Sequence, residues 1–129
     1  MSQSTTPSTL EESTVHEANG KHLLLTLSEC ETIELLNDVE GLRELAVRAA
    51  EATGATILNT CVQKFSPQGV TLVLVLAESH ASLHTYPEAR KVFWDCFTCG
   101  TTCDPAKSVS VLAEVFKPGK ISSEIHARH

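Results

Sequence analysis

The sequence lacks any apolar run that approaches the ~20 residues of a membrane-spanning helix. It also lacks a basic run, since its ten Lys and Arg residues are scattered and the formal net charge is −6. The N-terminus shows neither the basic start nor the apolar core of a signal peptide. We therefore expect a cytoplasmic protein whose main partner is neither nucleic acid nor a membrane.

The sequence has an odd number of cysteines, which argues against a complete disulfide framework. Because no export signal is evident, reduced thiols in the cytoplasm are the better interpretation. The five thiols must then be explained by packing, metal binding or catalysis: Cys30, Cys61, Cys96, Cys99 and Cys103.

The length of 129 residues, with 42% hydrophobic residues, fits one domain with a real core. Residues 1–18 are rich in Ser, Thr and Glu, and we expect a disordered tail there. A single domain is predicted for residues 19–129.

Apolar patterns predict an alternation of strands and helices within this domain. Strands are expected at 22–27, 56–62, 70–77, 92–97 and 120–126, with a turn at 66–69. One helix follows Asn37 or Asp38 and ends near Gly54, and a second begins at Asp104-Pro105 and stops at Pro118-Gly119. This order predicts an α+β fold, a two-layer α/β sandwich in which two helices pack on one face of an antiparallel sheet.

Residues 77–88 (AESHASLHTYPE) place reactive side chains directly after an apolar strand. His80, His84, Cys96 and Cys99 could hold zinc, but extended chain would separate the two histidines by about 13 Å. Ser79 could be a nucleophile, although it lacks the glycines of a nucleophile elbow. Each of these residues could also be a satisfied polar or small packing group.

The combination of these residues is more specific than any one of them. Glu78-Ser79-His80, His84-Thr85, Pro87-Glu88 and Phe97-Thr98-Cys99-Gly100 resemble the prokaryotic S-adenosylmethionine decarboxylase family, pyruvoyl enzymes of polyamine synthesis. The resemblance extends over about residues 20–126, and its further motifs are Gly20-Lys21-His22-Leu23, the segment 65–70 and Asp104-Pro105.

The resemblance implies a self-made pyruvoyl cofactor and no metal. Ser79 would attack the carbonyl carbon of Glu78, and elimination would cleave the chain into residues 1–78 (beta chain) and 79–129 (alpha chain). His84 would remove the Ser79 α-proton, and Thr71 would steady the ester. The ketone left at position 79 would condense with the substrate amine as a Schiff base and act as the electron sink that decarboxylation requires.

The resemblance also implies roles in substrate handling. Cys99 would return a proton to the substrate Cα, Phe65 would stack on adenine, and Glu88 would accept both ribose hydroxyls. The substrate would be S-adenosylmethionine, and its decarboxylated product would be the aminopropyl donor for spermidine synthesis. A homodimer of cleaved protomers, with the active site shared across its interface, would be the working form.

Two departures from the family pattern keep alternatives open. Tyr86 stands where the family commonly has Trp, and residues 89–94 (ARKVFW) replace a run of small and neutral residues. A pyruvoyl-dependent arginine or ornithine decarboxylase of the same family is the first alternative. A non-catalytic relative that never cleaves itself is the second.

Overall fold

The computed structural model describes residues 18–129, which form six strands and two longer helices. Nearly all of the tail expected at residues 1–18 lies outside the described residues. The strands are β1 (Gly20–Ser28), β2 (Ile57–Lys64), β3 (Val70–Leu76), β4 (Ser79–Tyr86), β5 (Lys91–Cys99) and β6 (Lys120–Arg128). The helices are α1 (Val39–Ala52) and α2 (Ser108–Phe116).

The six strands form one sheet in the order β2-β3-β4-β5-β1-β6. Every neighbouring pair is antiparallel. Both helices bury their apolar sides against one face of this sheet. The predicted α+β two-layer sandwich is therefore confirmed.

Helix α1 follows the predicted pattern closely. The Asp38 carboxylate accepts a hydrogen bond from the Gly41 amide at 3.2 Å, which caps the first turn. Gly54 has a φ of +95°, a conformation that glycine adopts without a steric penalty. Between these ends, residues three and four apart are buried: Leu42, Leu45, Ala46, Ala49 and Ala50.

Helix α2 begins later than the sequence predicts. Asp104 caps a short 3-10 turn, Pro105–Lys107, by accepting from the Ala106 amide at 3.1 Å, and α2 starts only at Ser108. The Trp94 indole of β5 donates to the Ser108 hydroxyl at 3.0 Å. This bond fixes the start of the helix against the centre of the sheet.

The reactive segment is itself a strand. Residues 56–77 form the predicted hairpin of β2 and β3, and Ala77-Glu78 then turns the chain directly into β4. Sequence patterns predict only extended chain for this segment, whereas the structure places it as an inner strand between β3 and β5. Its alternation of polar and apolar residues suits a strand with one covered and one uncovered face.

The two faces of the sheet differ in character. The covered face carries the apolar core, including Leu23, Leu72, Leu83 and Trp94. We call the other side the open face; its residues include His22, Leu24, Thr71, Val73, Val75, His80, Ser82, His84, Phe93, Asp95 and Phe97. Within residues 18–129, no helix is long and apolar enough to cross a membrane.

Candidate active site

Ser79 begins β4 in an unusual backbone conformation. Its φ is +153°, in a region that residues with a Cβ rarely occupy. Such a conformation costs on the order of 1–3 kcal/mol and persists only when neighbouring contacts impose it. The strain falls at the junction where the sequence predicts cleavage.

Two hydrogen bonds hold Glu78, the residue before that junction. Its carbonyl oxygen accepts from the Cys99 amide at 3.0 Å. Its side-chain Oε1 accepts from the Thr56 amide, also at 3.0 Å. The carbonyl that Ser79 would attack is therefore both fixed and polarised by an N–H donor.

Cys99 ends β5 next to this junction, and its side chain is partly exposed on the open face. We call Glu78, Ser79 and Cys99 the cleavage group. Cys96 points to the opposite, covered face, where burial, followed by the nearby Asp95 charge, raises the pKa of its thiol to about 12. The Cys96 and Cys99 thiols therefore do not chelate one ion together, and the zinc set considered from sequence is not assembled.

The other predicted residues meet at the far end of β4. A cleft of about 250 Å³ is lined by Phe65, Thr71, His84 and Glu88, together with Tyr86 and the turn that carries Gln68. We call the first four the pocket group. The Thr71 hydroxyl lies 3.0 Å from His84 Nδ1, as expected for paired residues on β3 and β4.

One protomer keeps the cleavage group and the pocket group apart. Ser79 and His84 are five residues apart on the same strand, which corresponds to about 16 Å at ~3.3 Å per residue. His84 therefore cannot remove the Ser79 α-proton within a single chain. The predicted site residues fall into two groups at opposite ends of β4, which we call half-sites.

Between these half-sites lies a polar cluster that the sequence predictions missed. Asp95 Oδ2 lies 2.7 Å from His22 Nε2 and 3.4 Å from His80 Nε2. The Ser82 hydroxyl donates to Asp95 Oδ1, and Ser82 Oγ also lies 3.4 Å from His84 Nε2. The sequence signal for this cluster was the position of Asp95 in β5, two residues from both Phe93 and Phe97. Because side chains alternate between the faces of a strand, all three lie on the open face.

The surroundings of Asp95 favour its charged form. Burial alone would raise the pKa of its carboxyl, but hydrogen bonds from Ser82 and His22 and the nearby imidazoles lower it below its usual value. The ligand atoms of His22, His80 and Asp95 lie within 4.8 Å of one another, and these residues are the metal-capable group found in the described part of the chain.

Residues 89–94, which depart from the family pattern, lie mostly away from the cleft. Arg90 and Lys91 are exposed in and after the turn between β4 and β5, and Trp94 is buried in the core. Only Phe93 faces the cleft side, where its ring meets Tyr86 edge to face at 5.5 Å. The substitutions therefore change the rim of the cleft rather than the pocket group.

Fold and site together define a two-layer α/β protein with a strained serine, a neighbouring thiol and a separate aromatic and acidic cleft. The family model described as S-adenosylmethionine decarboxylase matches residues 21–129. The chain belongs to the S-adenosylmethionine decarboxylase family, as the motifs predicted.

Individual relatives agree with this assignment. An S-adenosylmethionine decarboxylase proenzyme of Brevibacillus brevis is 49% identical over 87 residues, which are 67% of this chain and 65% of that protein. One of Methanococcus maripaludis is 45% identical over 102 residues, 79% of this chain and 83% of that protein. The crystal structure of the Aquifex aeolicus adenosylmethionine decarboxylase superposes with a TM-score of 0.77 at 30% identity, covering 84% of this chain and 89% of that one.

Proposed function

We propose that the chain is a self-processing, pyruvoyl-dependent S-adenosylmethionine decarboxylase that cleaves itself between Glu78 and Ser79. The family match and the relatives' names support this carboxy-lyase activity over the arginine and ornithine alternative. The word proenzyme in those names supports a processing step. The observation that carries the proposal is the strained φ of +153° at Ser79.

The residues around position 79 fit the formation of a pyruvoyl group. Ser79 supplies the hydroxyl, and its backbone strain is relieved when the peptide bond breaks. The Cys99 amide, 3.0 Å from the Glu78 carbonyl oxygen, stabilises the negative charge that develops there during attack. Once formed, the pyruvoyl group would supply the electron sink for decarboxylation.

The remaining site residues would bind the substrate and move protons. Cys99 donates a proton to the substrate Cα after carbon dioxide leaves. In the cleft, Phe65 stacks on adenine, and Glu88 accepts hydrogen bonds from the two ribose hydroxyls. Phe65 is 48% exposed, so a flat ligand can cover its ring. The product would serve as the aminopropyl donor for spermidine synthesis, and a cytoplasmic location stays a prediction.

A complete site would require two copies of the chain. The cleavage group and the pocket group lie about 16 Å apart along the strand direction of one sheet, too far to act on one reacting atom. A two-fold axis that runs across the strands and pairs two open faces would place each cleavage group against the partner's pocket group. The open face also exposes apolar side chains for such packing: Leu24 at 44%, Val75 at 46% and Phe93 at 39%.

Two measurements on the purified protein test the proposal. Intact-mass spectrometry should show two fragments that meet at the 78/79 junction instead of one species of 14.0 kDa. Labelled carbon dioxide should be released from carboxyl-labelled S-adenosylmethionine, and release from arginine or ornithine alone would reject the substrate assignment. An uncut chain after prolonged incubation would favour the non-catalytic relative.

A further inference from the structure

His80 has no role in the function proposed above, yet its side chain contacts the reacting serine. We propose that His80 is the catalytic base that takes the Ser79 hydroxyl proton, and that Asp95 is the positioning residue that orients its ring. The inference rests on the proposed self-processing function and assigns its first step.

The two ring nitrogens of His80 have different partners. Nδ1 lies 3.4 Å from the Ser79 Oγ, and Nε2 lies 3.4 Å from Asp95 Oδ2. The charged Asp95 beside Nε2 favours the tautomer that carries its proton on Nε2, and this leaves the Nδ1 lone pair free for the hydroxyl. Serine, imidazole and carboxylate thus form a series in which each group orients the next, the arrangement that activates a serine in unrelated enzymes.

Other bases are less well placed for this proton. His22 contacts the same Asp95 oxygen at 2.7 Å, and within the described residues it has no hydrogen bond to Ser79. His84 lies about 16 Å along the strand in the same chain. The Glu78 carboxylate is held by the Thr56 amide. Among residues 18–129, His80 is the base within hydrogen-bond reach of the Ser79 hydroxyl.

The step balances without a further reactant. A bond forms between Ser79 Oγ and the Glu78 carbonyl carbon, and the C–N bond between the two residues breaks. The hydroxyl proton passes to His80 Nδ1 and from there to the departing nitrogen, which becomes the free amine of ester-linked Ser79. His84 of the partner then has a separate task, removal of the Ser79 α-proton in the elimination.

Hydroxylamine separates these two steps, because it cleaves esters under conditions that leave peptide bonds intact. Freshly synthesised full-length chains are followed by intact-mass spectrometry with and without hydroxylamine. His84→Ala should stop at the ester, so hydroxylamine should release fragments 1–78 and 79–129. His80→Gln should cleave at least about 100-fold more slowly than the original chain and give no hydroxylamine-sensitive ester.

Matched variants distinguish a base from a structural residue. His22→Gln removes the neighbouring imidazole on the same carboxylate and should cleave within about threefold of the original rate. Asp95→Asn should slow cleavage about tenfold, and the double variant with His80→Gln should be no slower than His80→Gln alone, because the two residues act through one proton transfer. His80→Asn, checked by circular dichroism, replaces His80→Gln if the latter does not fold.

The outcomes are distinct. A folded His80 variant that cleaves within threefold of the original chain, or that accumulates the ester, would overturn the role of His80. Additive slowing in the double variant would overturn the positioning role of Asp95. An original chain that never cleaves would instead reject self-processing, and this failure is visible before any variant is made.

Discussion

At the residue scale, the proposed function gives Cys99 two roles, one for its backbone N–H and one for its thiol, and these roles can be separated. Its backbone N–H contacts the Glu78 carbonyl oxygen at 3.0 Å, whereas its thiol is partly exposed on the open face. A substitution of the side chain removes the thiol and keeps the amide. Processing and turnover should therefore respond differently to the same change.

Cys99→Ala should still cleave at the 78/79 junction but decarboxylate S-adenosylmethionine at least about 100-fold more slowly, because the proposed proton donor is lost. Fragment masses report processing, and labelled carbon dioxide reports turnover. Cys61→Ala, which removes an exposed thiol on β2, is the control and should behave like the original chain. Normal turnover by Cys99→Ala would remove the thiol from the donor role.

Ser79→Ala should leave one uncut chain without decarboxylase activity, because alanine offers no hydroxyl for the attack on Glu78. Intact-mass spectrometry after long incubation checks the first part, and the carbon dioxide assay checks the second. A cut at the same junction in this variant would show that another nucleophile breaks the bond.

The ionisation of Asp95 on the open face makes the free energy of unfolding depend on pH. Its folded-state pKa is lowered from a usual value of about 3.8, so its carboxylate stabilises the fold above that pH, and the contribution is lost as pH falls through the lowered value. In a Ser79→Ala background, which keeps both chains uncut, Asp95→Asn should lower the free energy of unfolding by about 1–2 kcal/mol at pH 7. Urea titrations should show that the difference becomes smaller as pH falls below about 4. A difference that keeps its full size well below that pH would contradict the assignment.

At the element scale, helix α2 supports the cleavage group indirectly. Trp94 and Ser108 join α2 to β5, the strand that carries Cys99, and Leu112 and Phe116 are fully buried under the sheet. The packing of α2 therefore holds β5 in register against the start of β4. A substitution that weakens the packing of α2 should therefore act first on the free energy of unfolding and only then on the rate of cleavage.

Leu112→Ala should lower the free energy of unfolding by about 2–5 kcal/mol, because it leaves a cavity beneath the sheet. Ser110→Ala, on the exposed side of the same helix, should change it by less than about 0.5 kcal/mol. Both values come from denaturant titrations on a Ser79→Ala background. A small effect at Leu112 would mean that the helix–sheet contact is looser than its burial indicates.

At the scale of the whole molecule, the separation of the half-sites predicts complementation between two inactive chains. Ser79→Ala lacks the proposed nucleophile and His84→Ala lacks the proposed elimination base, so neither should cleave alone. In a mixed dimer, the His84→Ala chain should be cut, because the proposed dimer places its Ser79 beside the partner's His84. Co-expression with distinguishable tags and mass spectrometry of each chain would show this.

The expected pattern of complementation is one-sided, since the Ser79→Ala chain stays whole in every combination. Mixing His84→Ala with a Ser79→Ala, His84→Ala double variant is the negative control, in which the His84→Ala chain should stay uncut. Light scattering should give the mass of a dimer for the original chain. Failure of the His84→Ala chain to be cut in a verified mixed dimer would reject a shared site.

The sequence by itself determined the fold class and the family, and it supplied most residues of the proposed site. Alternating apolar residues predict strands, Asp38 and Gly54 mark a helix, and the spacing from Glu78 to Cys99 carries the family motif, because these are local signals. Only the tertiary structure decided which side chains meet. It divided the predicted site between two ends of β4 and brought His22 and Asp95, distant in sequence, beside His80. Strand order and register, which arise from long-range packing, set those distances, and no local pattern specifies them.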